Sequence, residues 1–461
     1  MRAPNPPRSD EGPSDRTQNG RQASRRVRRL CEVACEIGAG AGPELARLVA
    51  FRDRYLELSV DERAELFEAL ANQVEVGPSR LTEPACRLLA TDPGDIQAWS
   101  QAVSTLRRGL ASPRRELLAR LLNLPGGMAF VLNLRADVLD AVRNGRTGAE
   151  VLDEDLAELL GRLFRQGFLT LAEIDQHAPF RTIRFLKEHE LVHPMTALEE
   201  MGRRLGRDRR CYALCHVAMP EEPVLFVEVA LAHGMVRSIH EILGAEEPTG
   251  RGRRAPDTAI FYSINNTQNG LAGLGLGALL VYQVTDALRR AEPGLRTFAT
   301  LSPIPGFWPE YLRPILAGER TAAALTRDGA IERFPRRSRE VIVARRATGD
   351  DFGQALVELL DDPSWPHDTA LVRCLRGPLT ALAYHYVAHE QDRRGRPLNP
   401  VANFHLGNGA TIRQGDVNLL ADLSPRGVFE SCTLMANYIY SGTWFREIRL
   451  TVNSLIRWAG A

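Results

Sequence analysis

Apolar residues recur at helical spacing through the first third of the chain. The segment Ser59-Val-Asp-Glu62 has the residues of a capping box, in which serine and glutamate side chains bond free N–H groups at a helix start. The apolar positions that follow lie on one helix face: Leu66, Phe67, Leu70 and Val74. A second stripe comprises Leu152, Leu156, Leu159, Leu160, Leu163 and Phe164. Because this spacing brings apolar side chains to one side of a helix, it predicts an all-helical domain over residues 27–164.

The segment that precedes this domain, residues 1–26, carries few apolar side chains. It is rich in Pro, Ser, Gly, Asn and Arg, and such a composition buries too little apolar surface to offset the entropy of ordering. We therefore expect a disordered tail. Its acidic residues Asp10, Glu11 and Asp15 disfavour an organelle transit peptide, which is poor in acidic residues.

The periodicity changes after about residue 165. Residues 210–217 and 224–231 are rich in the apolar and aromatic residues that favour strands, and the Met-Pro-Glu-Glu-Pro segment between them predicts a hairpin. A third strand is predicted over residues 258–264, after a polar and basic loop over 244–257. Helices and short strands follow. The pattern predicts that residues 165–461 form an α+β domain on a mixed sheet.

Composition and charge narrow the classes of function. A net charge of +1 for 461 residues produces no overall field that favours nucleic acid or an anionic membrane. No apolar run approaches the roughly 18 residues of a membrane-spanning helix. Lys187 is the sole lysine among 58 basic residues, and the chain has no Gly-Lys-Ser/Thr triplet of a Walker A loop. Schiff-base, pyridoxal-phosphate and biotin chemistry, which use a lysine, are disfavoured as well.

A glycine-rich turn follows the third predicted strand. Residues 268–278 read Gln-Asn-Gly-Leu-Ala-Gly-Leu-Gly-Leu-Gly-Ala, and apolar residues then recur at helical spacing at Leu280, Val281, Val284, Ala287 and Leu288. In a strand–loop–helix unit of this kind, backbone N–H groups and the helix N-terminus can bind a pyrophosphate. Close packing of the helix on a sheet is the structural alternative. We favour phosphate binding.

The identity of the phosphate ligand depends on the next strand. The spacing Gly273-x-Gly275-x-x-Ala278 matches the dinucleotide fingerprint, which also requires a carboxylate at the end of the following strand. Here that strand, residues 295–301, is followed by Ser302, so NAD is disfavoured. Acyl-CoA enzymes of the acetyltransferase type use a similar loop, and in such an enzyme Ser302 would lie close to the thioester.

Two residues are candidates for a catalytic role. Ser302 lies in the segment Thr-Leu-Ser-Pro-Ile-Pro-Gly-Phe-Trp (300–308), where Pro303 restrains it to an extended conformation at a strand end. His405 has apolar neighbours and precedes Gly-Asn-Gly, which predicts a histidine at a strand end, partly screened from water, that can act as acid or base. A purely structural role is the alternative for each residue.

Other candidate ligands are weaker. His385 and His389 have the i, i+4 spacing of metal ligands but lack the glutamate of His-Glu-x-x-His and an evident third ligand. The pairs Cys31/Cys35 and Cys211/Cys215 are predicted to lie in a helix and a strand. We predict no metal site.

Several motifs taken together resemble the malonyl-CoA decarboxylase family. They are AIFYSI…TQNGL…G (259–273), LSPIPGF (301–307), NPVANFHLGNGA (399–410), LMANYIY (434–440), HPM (193–195) and RRCY (209–212). The resemblance runs in order from about residue 165 to about residue 440. The set is specific, although no single motif would be.

The resemblance implies a fold, an activity and partners. It implies an all-helical domain that mediates oligomer contacts, followed by an α/β catalytic domain of acetyltransferase-like (GNAT-type) fold. It implies a carboxy-lyase that converts malonyl-CoA to acetyl-CoA and CO2 without a cofactor or metal, as a homodimer or homotetramer. A cytoplasmic location is expected because the C-terminus lacks the Ser-Lys-Leu signal of some relatives. No nucleic-acid or membrane partner is expected.

The resemblance also implies site residues. Ser302 and His405 match the family's catalytic serine and histidine. We expect Ser302 to hydrogen-bond the malonyl group and to orient it or relay a proton, and His405 to protonate the enolate carbon. Action as a coupled pair is the alternative. The matching CoA loop comprises Ala272, Gly273, Leu274, Gly275, Leu276, Gly277 and Ala278. Some relatives carry a charged or bulkier residue in place of Gly275. Apart from the resemblance, the charge of Arg251, Arg253 and Arg254 in the loop over 244–257 makes them candidates to contact the 3′-phosphate of CoA.

Two other functions remain compatible with the same motifs. An acyl-CoA N-acetyltransferase would share the fold and the CoA loop, but it would need an amine acceptor and a base. A sensor or scaffold without catalysis would bind malonyl-CoA but would not turn it over.

Overall fold

The computed structural model describes residues 13–38, 44–74, 78–109, 112–195, 197–206, 208–244, 255–319, 323–345 and 351–441. The chain divides into two compact units, one formed by Met1–Leu169 with Gln268–Gly275 and the other by Thr170–Thr267 with Leu276–Ala461. The first unit is helical and the second contains the sheets. The predicted order of a helical domain and a mixed-sheet domain is therefore confirmed.

The helical unit contains eight α-helices in the described part of the chain. They are α1 (Pro13–Gly38), α2 (Glu44–Leu56), α3 (Val60–Gln73), α4 (Pro78–Ala90), α5 (Ile96–Gly109), α6 (Pro113–Leu121), α7 (Gly127–Arg143) and α8 (Ala149–Leu163). The predicted capping box begins α3, where the Ser59 side chain accepts the Glu62 N–H and the Glu62 side chain accepts the Ser59 N–H. The apolar stripe on α3 is buried.

Helix α1 begins earlier than the composition suggested. It includes residues 13–26, which we expected in the disordered tail. Proline is well suited to the first helical position, and the arginine, glutamine and alanine residues that follow favour a helix. The structure corrects the predicted tail at these positions, and residues 1–12 lie outside the described residues.

The second unit contains nine strands and eleven α-helices among its described residues. The strands are β1 (Leu169–Ile174), β2 (Arg209–His216), β3 (Leu225–Ala232), β4 (Thr258–Asn266), β5 (Thr297–Thr300), β6 (Ser302–Pro303), β7 (Val417–Asn418), β8 (Met435–Ala436) and β9 (Ile439–Tyr440). The helices are α9 (Phe180–His189), α10 (Leu198–Arg204), α11 (Ile239–Leu243), α12 (Leu276–Ala291), α13 (Arg313–Leu316), α14 (Arg327–Glu332), α15 (Arg336–Val343), α16 (Phe352–Leu360), α17 (Thr369–Ala388), α18 (Pro400–Gly407) and α19 (Pro425–Ser431). Within the described ranges, no helix has both the length and the apolar character needed to cross a membrane.

The strands form two sheets. The larger sheet has the order β1-β2-β3-β4-β5-β9, in which β2–β3 is the predicted hairpin and β4 is the predicted third strand. Strands β4 and β5 are parallel and are connected through α12, whereas β9 is antiparallel to β5. A parallel pair requires such a crossover connection. The smaller sheet is antiparallel with the order β6-β8-β7.

Two clusters of apolar side chains are buried against the larger sheet. One cluster includes Leu186 of α9 and Met201 of α10 against Cys211, Ala213 and Phe226 of the hairpin. Another cluster includes residues from α11, β4, β5 and β8: Ile239, Ile242, Ile260, Tyr262, Ala299 and Met435. Burial on both faces explains why β4 is an almost continuous apolar run rather than an alternating one.

The chain passes from one sheet to the other directly after β5. Pairing between β4 and β5 ends at Phe261 and Thr300, and the N–H of Leu301 still bonds the Phe261 carbonyl at 3.0 Å. Ser302 then pairs with Ala436 in the smaller sheet. Strand β4 continues to Asn266, so the two parallel strands diverge at Ser302.

We expect the buried ion pair in the helical unit to matter far more for stability than an exposed pair. Arg114 Nε and Asp155 Oδ2 are 2.6 Å apart, and both side chains are 4% exposed. Asp155→Ala leaves the guanidinium buried without its carboxylate, which should lower the free energy of unfolding by about 3–5 kcal/mol in urea denaturation.

The matched control is Glu83→Ala. Glu83 pairs with Arg87 at 2.9 Å on the surface of α4, where the side chains are 79% and 61% exposed. This substitution should change the free energy of unfolding by less than about 1 kcal/mol. Similar losses for Asp155→Ala and Glu83→Ala would contradict the prediction.

Candidate active site

Ser302 is the first residue of β6 and is held in the extended conformation that its position before Pro303 predicts. Its side chain is buried, with the residue 7% exposed. The hydroxyl oxygen lies 2.9 Å from Thr300 Oγ1 and 3.1 Å from His405 Nε2. The structure therefore brings together the two residues that the sequence predicted for catalysis, which are 103 positions apart in the chain.

Thr300 fixes the position of the serine hydroxyl. Its Oγ1 accepts the backbone N–H of Tyr438 at 3.1 Å, and its carbonyl accepts Asn437 Nδ2 at 2.7 Å. Asn437 Nδ2 also donates to the carbonyl of Val236 at 3.1 Å. These contacts tie the end of β5 to the segment between β8 and β9. The hydroxyl of Thr300 therefore has little freedom to move away from Ser302.

His405 lies on helix α18, not at the strand end that we expected. The Asn399 side chain caps this helix by accepting the N–H of Ala402 at 2.9 Å, and Pro400 occupies its first position. An asparagine at the N-cap followed by proline is a helix-start signal. The apolar neighbours of His405 and the following Gly-Asn-Gly obscured that signal, because both also fit a strand that ends in a turn.

The imidazole of His405 is enclosed by aromatic side chains. The residue is 4% exposed, and its ring stacks on Tyr438 with 4.7 Å between ring centroids. Nδ1 lies 2.9 Å from the hydroxyl of Tyr440. Burial lowers the pKa of His405 from 6.5 to about 3, because charge is costly away from water. The imidazole is therefore neutral at physiological pH, and any proton that it donates comes from a neutral N–H group.

The contacts form a chain of hydrogen-bonding groups from Ser302 through His405 to Tyr440. In one proton arrangement, Tyr440 donates to Nδ1 and Nε2–H donates to Ser302. In the other, Ser302 donates to Nε2 and Nδ1–H donates to Tyr440. Burial raises the pKa of the Tyr440 phenol, so that this group is neutral as well. A proton can thus move along the chain by switching between the two arrangements.

The glycine-rich loop has the predicted connection between β4 and α12. Gly273 and Gly275 have φ angles of +79° and +73°, which disfavour any residue with a side chain. Gly277 has a different role in the first turn of α12. A Cβ atom on Gly277 would lie 2.3 Å from Phe404 Cε2, so this glycine lets α12 approach the residue that precedes His405. Within the predicted CoA loop, Ala272–Gly275 precede α12, and Leu276, Gly277 and Ala278 begin it.

The remaining sequence candidates do not join this cluster. His385 Nε2 lies 3.4 Å from Glu390 Oε1, and that buried carboxylate also accepts the Tyr311 hydroxyl and the N–H groups of Ala324 and Leu325. Among the described residues, no group of three or more His, Cys, Asp and Glu side chains is placed to hold a metal ion. Arg251, Arg253 and Arg254 lie outside the described residues, so their predicted contact with CoA stays a prediction.

Sequence reasoning assigned no role to Thr300, Tyr438 and Tyr440. The two tyrosines belong to the LMANYIY motif, which contributed only to the resemblance. Their alternation indicates a short strand, but nothing in it indicates which strand is the partner. The partner is β5, and the pairing of Phe298 with Tyr440 places the tyrosine hydroxyl beside His405.

Comparison with known proteins places this arrangement in a family. The family model described as "Malonyl-CoA decarboxylase C-terminal domain" matches residues 167–447, and the one described as "Malonyl-CoA decarboxylase N-terminal domain" matches residues 75–164. Mitochondrial malonyl-CoA decarboxylase of Mus musculus is 34% identical over 417 residues, which cover 89% of this chain and 82% of that protein. The protein of the same name from Anser anser anser is 34% identical over 384 residues, 82% of this chain and 74% of that protein.

Solved structures agree with the sequence comparisons. A malonyl-CoA decarboxylase from Rhodopseudomonas palustris has a TM-score of 0.70 and 30% identity, covering 91% of this chain and 94% of that chain. The enzyme of that name from Agrobacterium vitis has a TM-score of 0.68 and 32% identity, covering 90% and 92%. The resemblance seen in the sequence motifs is confirmed. This chain belongs to the malonyl-CoA decarboxylase family.

Proposed function

We propose that this chain converts malonyl-CoA to acetyl-CoA and CO2, with Ser302 and His405 at the reacting group. The observation that carries the proposal is the buried contact of 3.1 Å between Ser302 Oγ and His405 Nε2, where β4 and β5 diverge. The thioester arm of the substrate would lie where these strands diverge. The curated and solved relatives carry the name of this activity.

The substrate supplies part of the chemistry. When the bond between C2 and the carboxylate breaks, the thioester carbonyl accepts the electron pair and an enolate forms. The protein must orient the carboxylate, stabilise the enolate oxygen and deliver one proton to C2. Hydrogen-bond donors positioned before the reaction stabilise such an oxyanion. We assign the orientation of the malonyl group to the hydroxyl of Ser302.

The burial of the pair favours the loss of CO2. A substrate carboxylate beside Ser302 and His405 would leave water for a buried site. Charge is costly at this site, as the neutral imidazole of His405 shows. Charge spreads from the carboxylate into the thioester as the bond breaks, so a poorly hydrated site disfavours the ground state more than the transition state.

The proton reaches C2 from neutral groups. The enolate carbon is a strong base, and Nε2–H of His405 can supply its proton directly or through Ser302. As Nε2 loses its proton, Nδ1 takes the hydroxyl proton of Tyr440 across their contact of 2.9 Å. The imidazole stays neutral throughout, and the phenol oxygen then regains a proton from solvent.

The proposed CoA loop, residues 272–278, would hold the pyrophosphate through backbone N–H groups and the start of α12. Support comes from the left-handed conformations of Gly273 and Gly275 and from the strand–loop–helix order. The homo-oligomeric state and the cytoplasmic location stay predictions from the family resemblance. So does catalysis without a cofactor.

The purified chain should form acetyl-CoA from malonyl-CoA with EDTA present and no added cofactor. Ser302→Ala and His405→Ala should each lower kcat by about a hundredfold or more, because each removes a group from the proton-transfer chain. His177→Ala is the control, since its side chain is 90% exposed, and it should retain activity. Acetyl-CoA formation is followed directly, and thermal unfolding verifies that each variant is folded.

The other outcomes of this experiment have defined meanings. Binding of malonyl-CoA without turnover by the unsubstituted chain would indicate a sensor. A requirement for an added amine would indicate an N-acetyltransferase. Full activity of both Ser302→Ala and His405→Ala would refute the assigned roles even if the chain is a decarboxylase.

Tyr440→Phe should lower kcat by about tenfold to a hundredfold with little change in KM. The substitution keeps the ring beside His405 and removes the proton that Nδ1 accepts, a contribution typical of a positioned acid. Tyr438→Phe is the matched control, because Tyr438 contacts His405 through its ring face, and it should stay within about threefold of the parent. Equal losses in the two variants would argue against the relay.

The pH dependence of kcat/KM should show no titration of a histidine with the ordinary pKa of about 6.5. Because burial lowers the pKa of His405 to about 3, kcat/KM should be nearly constant between about pH 5.5 and 8. For this measurement the substrate is malonyl-dephospho-CoA, because it lacks the 3′-phosphate of CoA, which would itself titrate in this pH range. A histidine of pKa 6.5 would instead produce about a tenfold loss at pH 5.5. A tenfold loss of kcat/KM for each unit by which the pH rises would mean that the imidazolium is the acid, contrary to the proposed mechanism.

A further inference from the structure

The glycine-rich loop is held by a buried arginine of the helical unit. Arg135 lies on α7, and its side chain is 3% exposed. Its Nη1 donates to the carbonyl of Gly270 at 2.7 Å and to the carbonyl of Ala272 at 3.0 Å. Its Nε donates to Asp153 Oδ1 on α8 at 2.9 Å. One guanidinium thus joins the two helices to two successive turns of the loop.

The backbone of the loop lies directly against α7. A Cβ atom on Gly270 would lie 2.1 Å from the carbonyl oxygen of Leu132, so only glycine allows this approach. Gly270 and Ala272 point their carbonyl groups at Arg135, and this orientation constrains the peptide groups between and after them. The helical unit therefore determines the path of the chain up to Gly275.

The same path leaves two N–H groups available. The N–H of Ala272 bonds the Asn269 carbonyl at 3.1 Å, and the N–H of Leu274 bonds the Leu271 carbonyl at 3.3 Å. Within the part of the chain that the structure describes, the N–H groups of Gly273 and Gly275 have no acceptor. Both residues have left-handed φ angles, which glycine adopts without strain where a backbone approaches a ligand closely.

We propose that Arg135 is a positioning residue for CoA: it holds the glycine loop in the conformation that presents these N–H groups to the pyrophosphate. This inference rests on the proposed function of the loop. Arg135 does not itself contact the substrate, since its side chain is only 3% exposed and three of its five N–H donors are used by Gly270, Ala272 and Asp153. The charge of Arg135 is offset by Asp153, so Arg135 acts through the planar, fork-shaped arrangement of its guanidinium N–H donors. A lysine has the charge but cannot reproduce that fork.

The test compares two thioesters that share the reacting group. Malonyl-CoA carries the pyrophosphate, and malonyl-pantetheine lacks it. Arg135→Lys should raise KM for malonyl-CoA by about tenfold to a hundredfold, as expected from the loss of one or two charge-assisted contacts, and kcat should change by less than about twofold. The value of kcat/KM for malonyl-pantetheine should not change.

Arg63→Lys is the matched control. Arg63 of α3 pairs with Asp137 of α7, the helix that carries Arg135, and Arg63 Nη1 lies 2.9 Å from Asp137 Oδ2. This pair does not involve the glycine-rich loop. It should leave kcat and KM for both thioesters unchanged. Asp153→Asn serves as a second variant should Arg135→Lys fold poorly, because it weakens the anchor of the guanidinium and keeps the fork. It should raise KM for malonyl-CoA by a few-fold and again spare malonyl-pantetheine.

Titration calorimetry with CoA provides a readout that does not depend on turnover. Arg135→Lys should weaken CoA binding by the same factor as KM. Equal losses of kcat/KM for the two thioesters would mean a structural role and would overturn the inference, as would unchanged CoA affinity in Arg135→Lys and Asp153→Asn. Absence of turnover by the parent would refute the proposed decarboxylase, while the CoA titration would still decide the role of Arg135.

Discussion

The hydrogen bond between Ser302 and His405 depends on how Thr300 is held. Thr300 is the last residue of β5 and contacts the segment Asn437–Tyr438 through its N–H, its carbonyl and its hydroxyl. These bonds set the point at which the chain leaves the larger sheet, and Ser302 follows two residues later. If Thr300 shifted, the serine hydroxyl would lose both of its neighbours. The geometry of the pair is therefore a property of the junction between the two sheets.

Burial determines the chemistry that this junction supports. A solvated histidine would titrate near neutral pH, but aromatic neighbours keep His405 neutral, with its pKa lowered to about 3. The cost of removing an imidazole from water is offset by hydrogen bonds at both of its nitrogens, to Ser302 and Tyr440. A neutral relay suits a reaction that generates a strongly basic carbon, because such a carbon does not need a strong acid. In the proposed mechanism, orientation and poor hydration are then the main contributions of the protein.

Local patterns predicted much of the fold. Helical stripes identified α3 and α8, the apolar runs identified β2, β3 and β4, and the glycine-rich turn identified the start of α12. The prediction failed for His405, where apolar neighbours and a Gly-Asn-Gly turn fitted a strand, although Asn399 and Pro400 begin a helix. It also failed for residues 13–26, because a polar composition permits a helix as readily as a disordered tail. Both errors arise because composition reports how much surface can be buried and says less about backbone conformation.

The sequence by itself determined the order of the domains, the glycine positions and the two residues proposed for catalysis. Each of these is carried by contiguous residues, because helix and strand periodicity, caps and turns act over a few positions. The tertiary structure alone decided that Tyr440 adjoins His405, that Gly277 makes room for Phe404, and that Arg135 holds the glycine loop. These contacts join residues that are far apart in the chain. Strand pairing and helix packing choose among many partners of similar local pattern, so no short segment specifies them.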